Sequence, residues 1–285
     1  MTDSSSLLRS ALFLPASNPR AIEKARGLAA DAVILDLEDA VAPEAKAEAR
    51  DAAVAAVRTG GFRARTVAVR VNALDSEWGA ADLAAVARCA PDAVLVPKIA
   101  APDDVELYHA ELAGPRLWVM IETCRAISQL QAIADMALRT RLAAMVIGAN
   151  DLALELRARP AADRAGLVPY LALAVAAARA AGIAVLDGVS NDFTDLDRFA
   201  AECAQARALG FDGKSLIHPA QVEPCNLAFS PDADEIARAE AIVAAFADPA
   251  NAGKGAIRVG GRMAERLHLA EAERVLALAA AIEAR

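Results

Sequence analysis

Residues 32–38 read AVILDLE and residues 66–72 read TVAVRVN. Each is a short, nearly unbroken apolar run that stops on charged or polar side chains. Such a run is too short for a helix, and it lacks the strict alternation of a half-exposed strand. It is the mark of a strand covered on both faces in a parallel sheet. The pattern recurs on either side: SALFLP at 10–15, AVLVPK at 93–98, LWVMIET at 117–123, AAMVIG at 143–148, AVLDGV at 184–189 and GKSLIH at 213–218. Alanine-rich segments of helical composition lie between the runs, among them 20–30, 44–58, 79–87 and 170–181. Eight strand–helix units in about 220 residues predict an α/β fold, the (β/α)₈ TIM barrel. An open doubly wound sheet is the rival architecture, but neither GxGxxG nor GxxxxGK[ST] occurs to support it.

Beyond residue 218 the pattern changes. A helix is expected to start at Asp232 to Asp234 and to end at Asp248-Pro249. The stretch 251–261 (NAGKGAIRVGG) reads as a connector or hairpin, and 264–285 as a final amphipathic helix. The expected organisation is therefore a catalytic barrel over 1–225 and a C-terminal helical extension over 226–285, acting as a lid and in subunit contacts.

The 285 residues are 56% hydrophobic and carry a formal charge of -8, enough apolar material for a large core and no positive field to hold nucleic acid. Cys89, Cys124, Cys203 and Cys225 fall in no CxxC or Cys/His cluster, so neither a zinc site nor a disulfide framework is indicated and a cytoplasmic setting is expected. The first 17 residues hold no apolar run of spanning length, so neither export signal nor membrane anchor is expected.

In a barrel of this kind all strand C-termini open on one face. They deliver Pro15 and Ser17, then Glu38 and Asp39, Arg70 and Asn72, Lys98, Glu122, Asp151, Asp187 and His218. Five converging carboxylates repel one another unless a cation or a proton intervenes. With no soft ligands nearby, the ring predicts an oxygen-ligated Mg²⁺ or Mn²⁺. Glu122 and Asp151, on adjacent strand ends, are the candidate ligands; their alternative is to cap the helices that follow. Arg70 offers a permanently charged fork to a substrate carboxylate or, equally, an internal salt bridge to Glu38 or Asp39. Lys98 is expected to form a structural ion pair within the acidic ring. His218 reads as a packed histidine bonded to backbone, and Asp187 as a turn former beside Gly188.

At these residues the sequence resembles the citrate lyase β-subunit-like family of the HpcH/HpaI aldolase group, which includes malyl-CoA and citramalyl-CoA lyases. The resemblance runs through RSALFLPASNPRAIEKA, DAVILDLEDAVAPEAKAEAR, VAVRVN, VPKI, IET, IGANDLALEL and GFDGKSLIHPAQVEPCN, in the family's order. It implies a Mg²⁺-dependent barrel enzyme that makes or breaks a carbon–carbon bond beside a CoA thioester. Carried over by position, Glu122 of IET and Asp151 of GANDL are its metal-binding carboxylates, and Arg70 of VRVN holds the acid or oxo group. Glu38 and Asp39 of DLED contact metal-bound water and fix Arg70. The stretch 13–24 resembles the part of the family that meets CoA, with Ser17, Arg20 and Lys24 available for phosphates.

The tail departs from the family pattern. Where longer members carry Gly-Lys-Met-Ile-Asp, whose acid serves a neighbouring subunit as proton donor or acceptor, this chain reads Gly261, Arg262, Met263, Ala264, Glu265. The resemblance further implies a homo-oligomer, trimer or hexamer. The expected activity is cleavage of a β-hydroxyacyl-CoA of the citramalyl-CoA or malyl-CoA type into acetyl-CoA and a 2-oxo acid such as pyruvate or glyoxylate. The alternatives are a CoA-independent class II pyruvate aldolase and a carrier-dependent citryl lyase β subunit.

Overall fold

The computed structural model describes residues 7–159, 161 and 163–284. The expectation for the first 17 residues therefore falls partly, and that for Arg285 wholly, outside the described residues. Eight parallel strands close into a barrel in sequence order: β1 (Ser10–Pro15), β2 (Ala32–Asp36), β3 (Thr66–Arg70), β4 (Ala93–Val96), β5 (Arg116–Ile121), β6 (Leu142–Ile147), β7 (Ala184–Asp187) and β8 (Gly213–Leu216), with β8 pairing back onto β1. The predicted TIM barrel is the observed fold.

The helices of this unit are α1 (Pro19–Arg26), α2 (Lys46–Thr59), α3 (Gly79–Cys89), α4 (Pro102–Glu111), α5 (Cys124–Ser128), α6 (Leu130–Ala134), α7 (Ala149–Glu155), α8 (Val168–Ala181), α9 (Leu196–Leu209) and α10 (Val222–Ala228). Their starts follow local chemistry. The Asn18 side chain accepts the Ala21 N–H ahead of Pro19 on α1, and Asp195 accepts the Arg198 N–H on α9.

Strand side chains alternate between two apolar environments. Ala11, Ala32, Ile34, Ala68, Leu95, Trp118, Met120 and Val146 fill the barrel interior. Leu12, Val33, Leu35, Val69, Val94 and Val119 pack outward under the helices. This alternation of period two decides which polar residues reach the mouth. Asp36 follows Ile34, Arg70 follows Ala68 and Glu122 follows Met120 on the inward side. Asp187, next after the inward Leu186, points the other way.

The chain divides into two compact units, one over Leu8–Phe229 and one from Ser230 onward. The second holds α11 (Ala233–Ala247), a two-stranded antiparallel hairpin of β9 (Ala256–Val259) and β10 (Arg262–Glu265), and α12 (Arg266–Glu283). Asp232 starts α11 with a reciprocal cap: its carboxylate accepts the Glu235 N–H while Glu235 accepts the Asp232 N–H. The expectation of a helix from residue 264 is corrected here. Ala264 and Glu265 pair with Ile257 and Ala256 in the hairpin, and the helix begins at Arg266. Gly260 and Gly261, at φ 55° and 81°, supply the left-handed pair that a tight hairpin turn needs. Among the described residues no helix is long and apolar enough to cross a membrane.

Candidate active site

The mouth of the barrel is organised around Arg70. Its Nε and Nη2 donate to the two Asp36 oxygens at 2.6 and 2.7 Å, a two-bond fork set up by the β2–β3 register that places Asp36 beside Arg70. Its Nη1 lies 2.9 Å from Glu38 Oε2 and donates to Asp39 at 3.3 Å. The guanidinium also covers the Phe13 ring, 4.8 Å from its centroid. Burial works against the Arg70 charge, but the Asp36 bonds and the neighbouring carboxylates outweigh it and raise its pKa. The salt-bridge reading of Arg70 holds, to Glu38 and Asp39, and the residue also lines the cavity.

Asp36 was missed in the sequence, although DLED carried the signal. Positions 34, 36 and 38 share one face of a strand, so the side chain beneath Glu38 was bound to enter the mouth. Lys46 was missed as well. From the start of α2 its ammonium donates to the main-chain oxygens of Leu37 and Glu38, both at 2.8 Å, and to Asn72 Oδ1 at 2.7 Å. Asn72 is held in turn by the fully buried Asp82. This network ties down the DLE segment from behind, and only the tertiary fold brings its members together.

The second half of the site is acidic. Glu122 is 2% exposed and accepts the Lys98 backbone N–H at 2.7 Å. Asp151, in the first turn of α7, accepts the Lys98 ammonium at 2.7 Å. The same ammonium lies 3.8 Å from Glu38 and 3.8 Å from Glu122. The helix-capping reading of the two acids does not hold: α5 is capped by the Thr123 hydroxyl, and the Asp151 carboxylate is turned to Lys98. Gly148 makes room for this arrangement, since a Cβ there would fall 2.4 Å from Glu122 Oε2. Burial raises the Glu122 pKa against the pull of Lys98.

Burial, opposed by Arg70 and reinforced by Asp39 and Glu122, pushes Glu38 up to about 8. Its Oε2 is buried and, though close to Arg70, has no aligned hydrogen-bond partner. The sign of the consequence follows from linkage. Between about 4.5 and 8 the folded chain holds a proton on Glu38 that the unfolded chain releases, so this residue's contribution to stability falls as pH rises through that window and is flat above it. Melting of the metal-free chain against Glu38→Gln should therefore show the variant gaining on the wild type between pH 5 and pH 8.5. A constant difference in Tm across that range would refute the buried, protonated Glu38.

Arg70, Glu122 and Asp151 line one cavity of about 290 Å³, floored by Phe13, Met120 and Ile147. Among the described residues no three His, Cys, Asp or Glu side chains are grouped as a ready metal cage. A cation here would take protein oxygens from Glu122 and Asp151 and leave its other positions to water and substrate, the pattern of a hard divalent ion. An ammonium already standing among the carboxylates shows that the spot favours positive charge.

Of the remaining expectations, Ser17, Arg20 and Lys24 are exposed on the β1–α1 turn and helix α1, with Arg20 and Lys24 one turn apart. Glu265 is half-buried at the end of β10 in the second unit, where its N–H donates to His268. His218 accepts the Ala220 N–H through Nδ1 and stacks on Phe193, as a packed, backbone-bonded histidine. The turn reading of Asp187 is corrected. It is fully buried, bonded to Lys214 at 2.6 Å and to Arg164 at 2.7 Å, on the outward face of the barrel and away from the mouth.

A family model described as HpcH/HpaI aldolase/citrate lyase matches residues 9–219, which span all eight strands. This chain belongs to that family. Within it, a (3S)-malyl-CoA thioesterase of Cereibacter sphaeroides (strain KD131) is 46% identical over 276 residues, covering 97% of this chain and 96% of the relative. The citrate lyase subunit beta of Escherichia coli (strain K12) is 35% identical over 268 residues, covering 90% and 88%. Among solved structures, CitE from Mycobacterium tuberculosis in complex with magnesium, acetoacetate and coenzyme A superposes with a TM-score of 0.79 at 31% identity, covering 95% of this chain and 97% of that one. The family is enzymatic, with lyase and thioesterase members, and the HpcH/HpaI barrel of this chain presents its acids and Arg70 on the same face.

Proposed function

We propose that this chain is a Mg²⁺-dependent enzyme acting on a short β-hydroxyacyl-CoA of the malyl-CoA type, with Glu122 and Asp151 holding the ion. The observation that carries this reading is the cavity itself: a two-carboxylate cation position lies across from a fixed guanidinium, in a space sized for a small dicarboxylic acyl group. The donor set fits the ion, because it offers hard oxygens only and leaves coordination positions open. When bound, the ion would supply Lewis-acid polarisation of substrate oxygens.

The chain's own residues do the rest. Three of the five Arg70 N–H groups are taken by Asp36 and Asp39 and Nη1 also faces Glu38 at 2.9 Å, which leaves the second Nη2 N–H for the substrate carboxylate. Asp36 and the Phe13 ring keep that fork in one orientation. Glu38 Oε2, buried without an aligned partner, is the atom that takes or returns a proton, with Asp39 beside it at the solvent edge. Ser17, Arg20 and Lys24 face the CoA phosphates in this reading. Glu265 serves the pocket of a neighbouring copy in a homo-oligomer as proton donor.

Two bonds of such a substrate could break. Hydrolysis of the thioester C–S bond is the reading placed first, supported by the malyl-CoA thioesterase at 46% identity across 97% of the chain. Carbon–carbon cleavage to acetyl-CoA and a 2-oxo acid is the second, supported by the likeness to citrate lyase β subunits and by Arg70, whose charge would stabilise a developing enolate.

One assay separates them. Purified chain is given (3S)-malyl-CoA, with (S)-citramalyl-CoA in parallel, in Mg²⁺ or EDTA. Mg²⁺-dependent malate and free CoA are expected. Glyoxylate and acetyl-CoA in their place would establish the lyase, and neither set of products would refute the substrate class.

A further inference from the structure

Lys98 closes the VPK end of the fourth strand in an unusual backbone conformation. Its φ is +57°, a left-handed value that non-glycine residues seldom adopt and that clusters at functional sites. That conformation aims the backbone N–H at Glu122 and lets the side chain fold back to Asp151, both at 2.7 Å. The ammonium thus faces three carboxylates brought from different elements: Glu38 after β2, Glu122 after β5 and Asp151 on α7. Among the described residues the Asp151 carboxylate has no other hydrogen-bond partner. Such an arrangement is the electrostatic equivalent of an occupied metal site, with one organic cation in place of an inorganic one.

The ammonium and a divalent ion cannot share this place. A cation bound to Glu122 and Asp151 would lie within a few ångströms of Nζ, and like charges at such range repel strongly at any protein dielectric. We propose that Lys98 is an internal counter-ion that neutralises the acidic cluster of the metal-free chain and must leave Asp151 when Mg²⁺ enters, so that this residue sets metal affinity. The inference rests on the Mg²⁺ reading above. The geometry permits the exchange: the Lys98 side chain is 46% exposed, and its backbone hold on Glu122 does not depend on where the ammonium goes. The device keeps the barrel mouth from carrying uncompensated charge between metal occupancies. Lys98 acts here as a positioning residue, through the carboxylates that take the metal.

Calorimetric titration of Mg²⁺ into wild type, Lys98→Met and Glu122→Gln tests this directly, without recourse to activity. Lys98→Met, which keeps the length of the side chain and removes its charge, is expected to bind Mg²⁺ on the order of tenfold more tightly than wild type. Equal or weaker binding overturns the proposal. Because the charge change alone could loosen the site, thermal melting supplies a second readout. Metal-free Lys98→Met should melt below wild type, and saturating Mg²⁺ should raise its Tm by more than it raises that of wild type; equal increments overturn the proposal. A Glu122→Gln isotherm identical to that of wild type would overturn the metal site itself and the exchange with it, which distinguishes failure of the underlying reading from failure of the role of Lys98.

Discussion

Asp187→Asn should destabilise the barrel by about 3–5 kcal/mol, the range for removing one partner of a buried ion pair. Asp187 and Lys214 are directly opposite each other in the β7–β8 register, both with no exposed surface, and Arg164 adds a second cation from the segment between α7 and α8. Glu202 stands 3.5 Å from the Lys214 ammonium and offsets only part of the charge. Loss of the one carboxylate that both cations share would leave a fully buried ammonium facing an amide. For a chain of this size the melting temperature should fall by about 5–10 °C. Urea unfolding monitored by circular dichroism checks it, and a loss under about 1 kcal/mol would show that the pair contributes little. The double variant Asp187→Asn/Lys214→Met should recover part of the loss, because it removes the stranded charge together with its partner.

Glu122→Gln should have the opposite profile: turnover lost on the order of a thousandfold, with stability held or slightly raised. The carboxylate is nearly inaccessible and burial already disfavours its charge, so a neutral amide of the same shape costs the fold little. The amide oxygen can still accept the Lys98 N–H that Glu122 accepts at 2.7 Å. What the substitution removes is the anionic oxygen proposed to hold Mg²⁺, leaving Asp151 alone of the two proposed ligands. Steady-state turnover of (3S)-malyl-CoA together with a melting curve reads both effects. Full activity in the variant would remove Glu122 from the metal site, and a large fall in Tm would make its role structural.

Much of this protein was legible in one dimension. Eight apolar runs covered on both faces, separated by helical segments, specify a parallel barrel because both backbone pairing and burial on two sides depend on local composition and spacing. The same reasoning placed Glu38, Arg70, Glu122 and Asp151 at one mouth, since strand ends of a barrel share a face. What it could not settle is which charge meets which. Asp187 ends a strand as Glu122 follows one, yet one is sealed against Lys214 and Arg164 and the other lines the cavity, because a shift of one residue along a strand turns a side chain to the opposite face. Lys46 reaches the DLE segment from the start of α2, and Lys98 places one ammonium among carboxylates from three elements. Composition and periodicity decide the fold, because hydrophobic burial is roughly additive and indifferent to direction. The pairing of charges is decided only in three dimensions, because an ion pair depends on ångström distances and on the local exclusion of water, and neither exists until the barrel has closed.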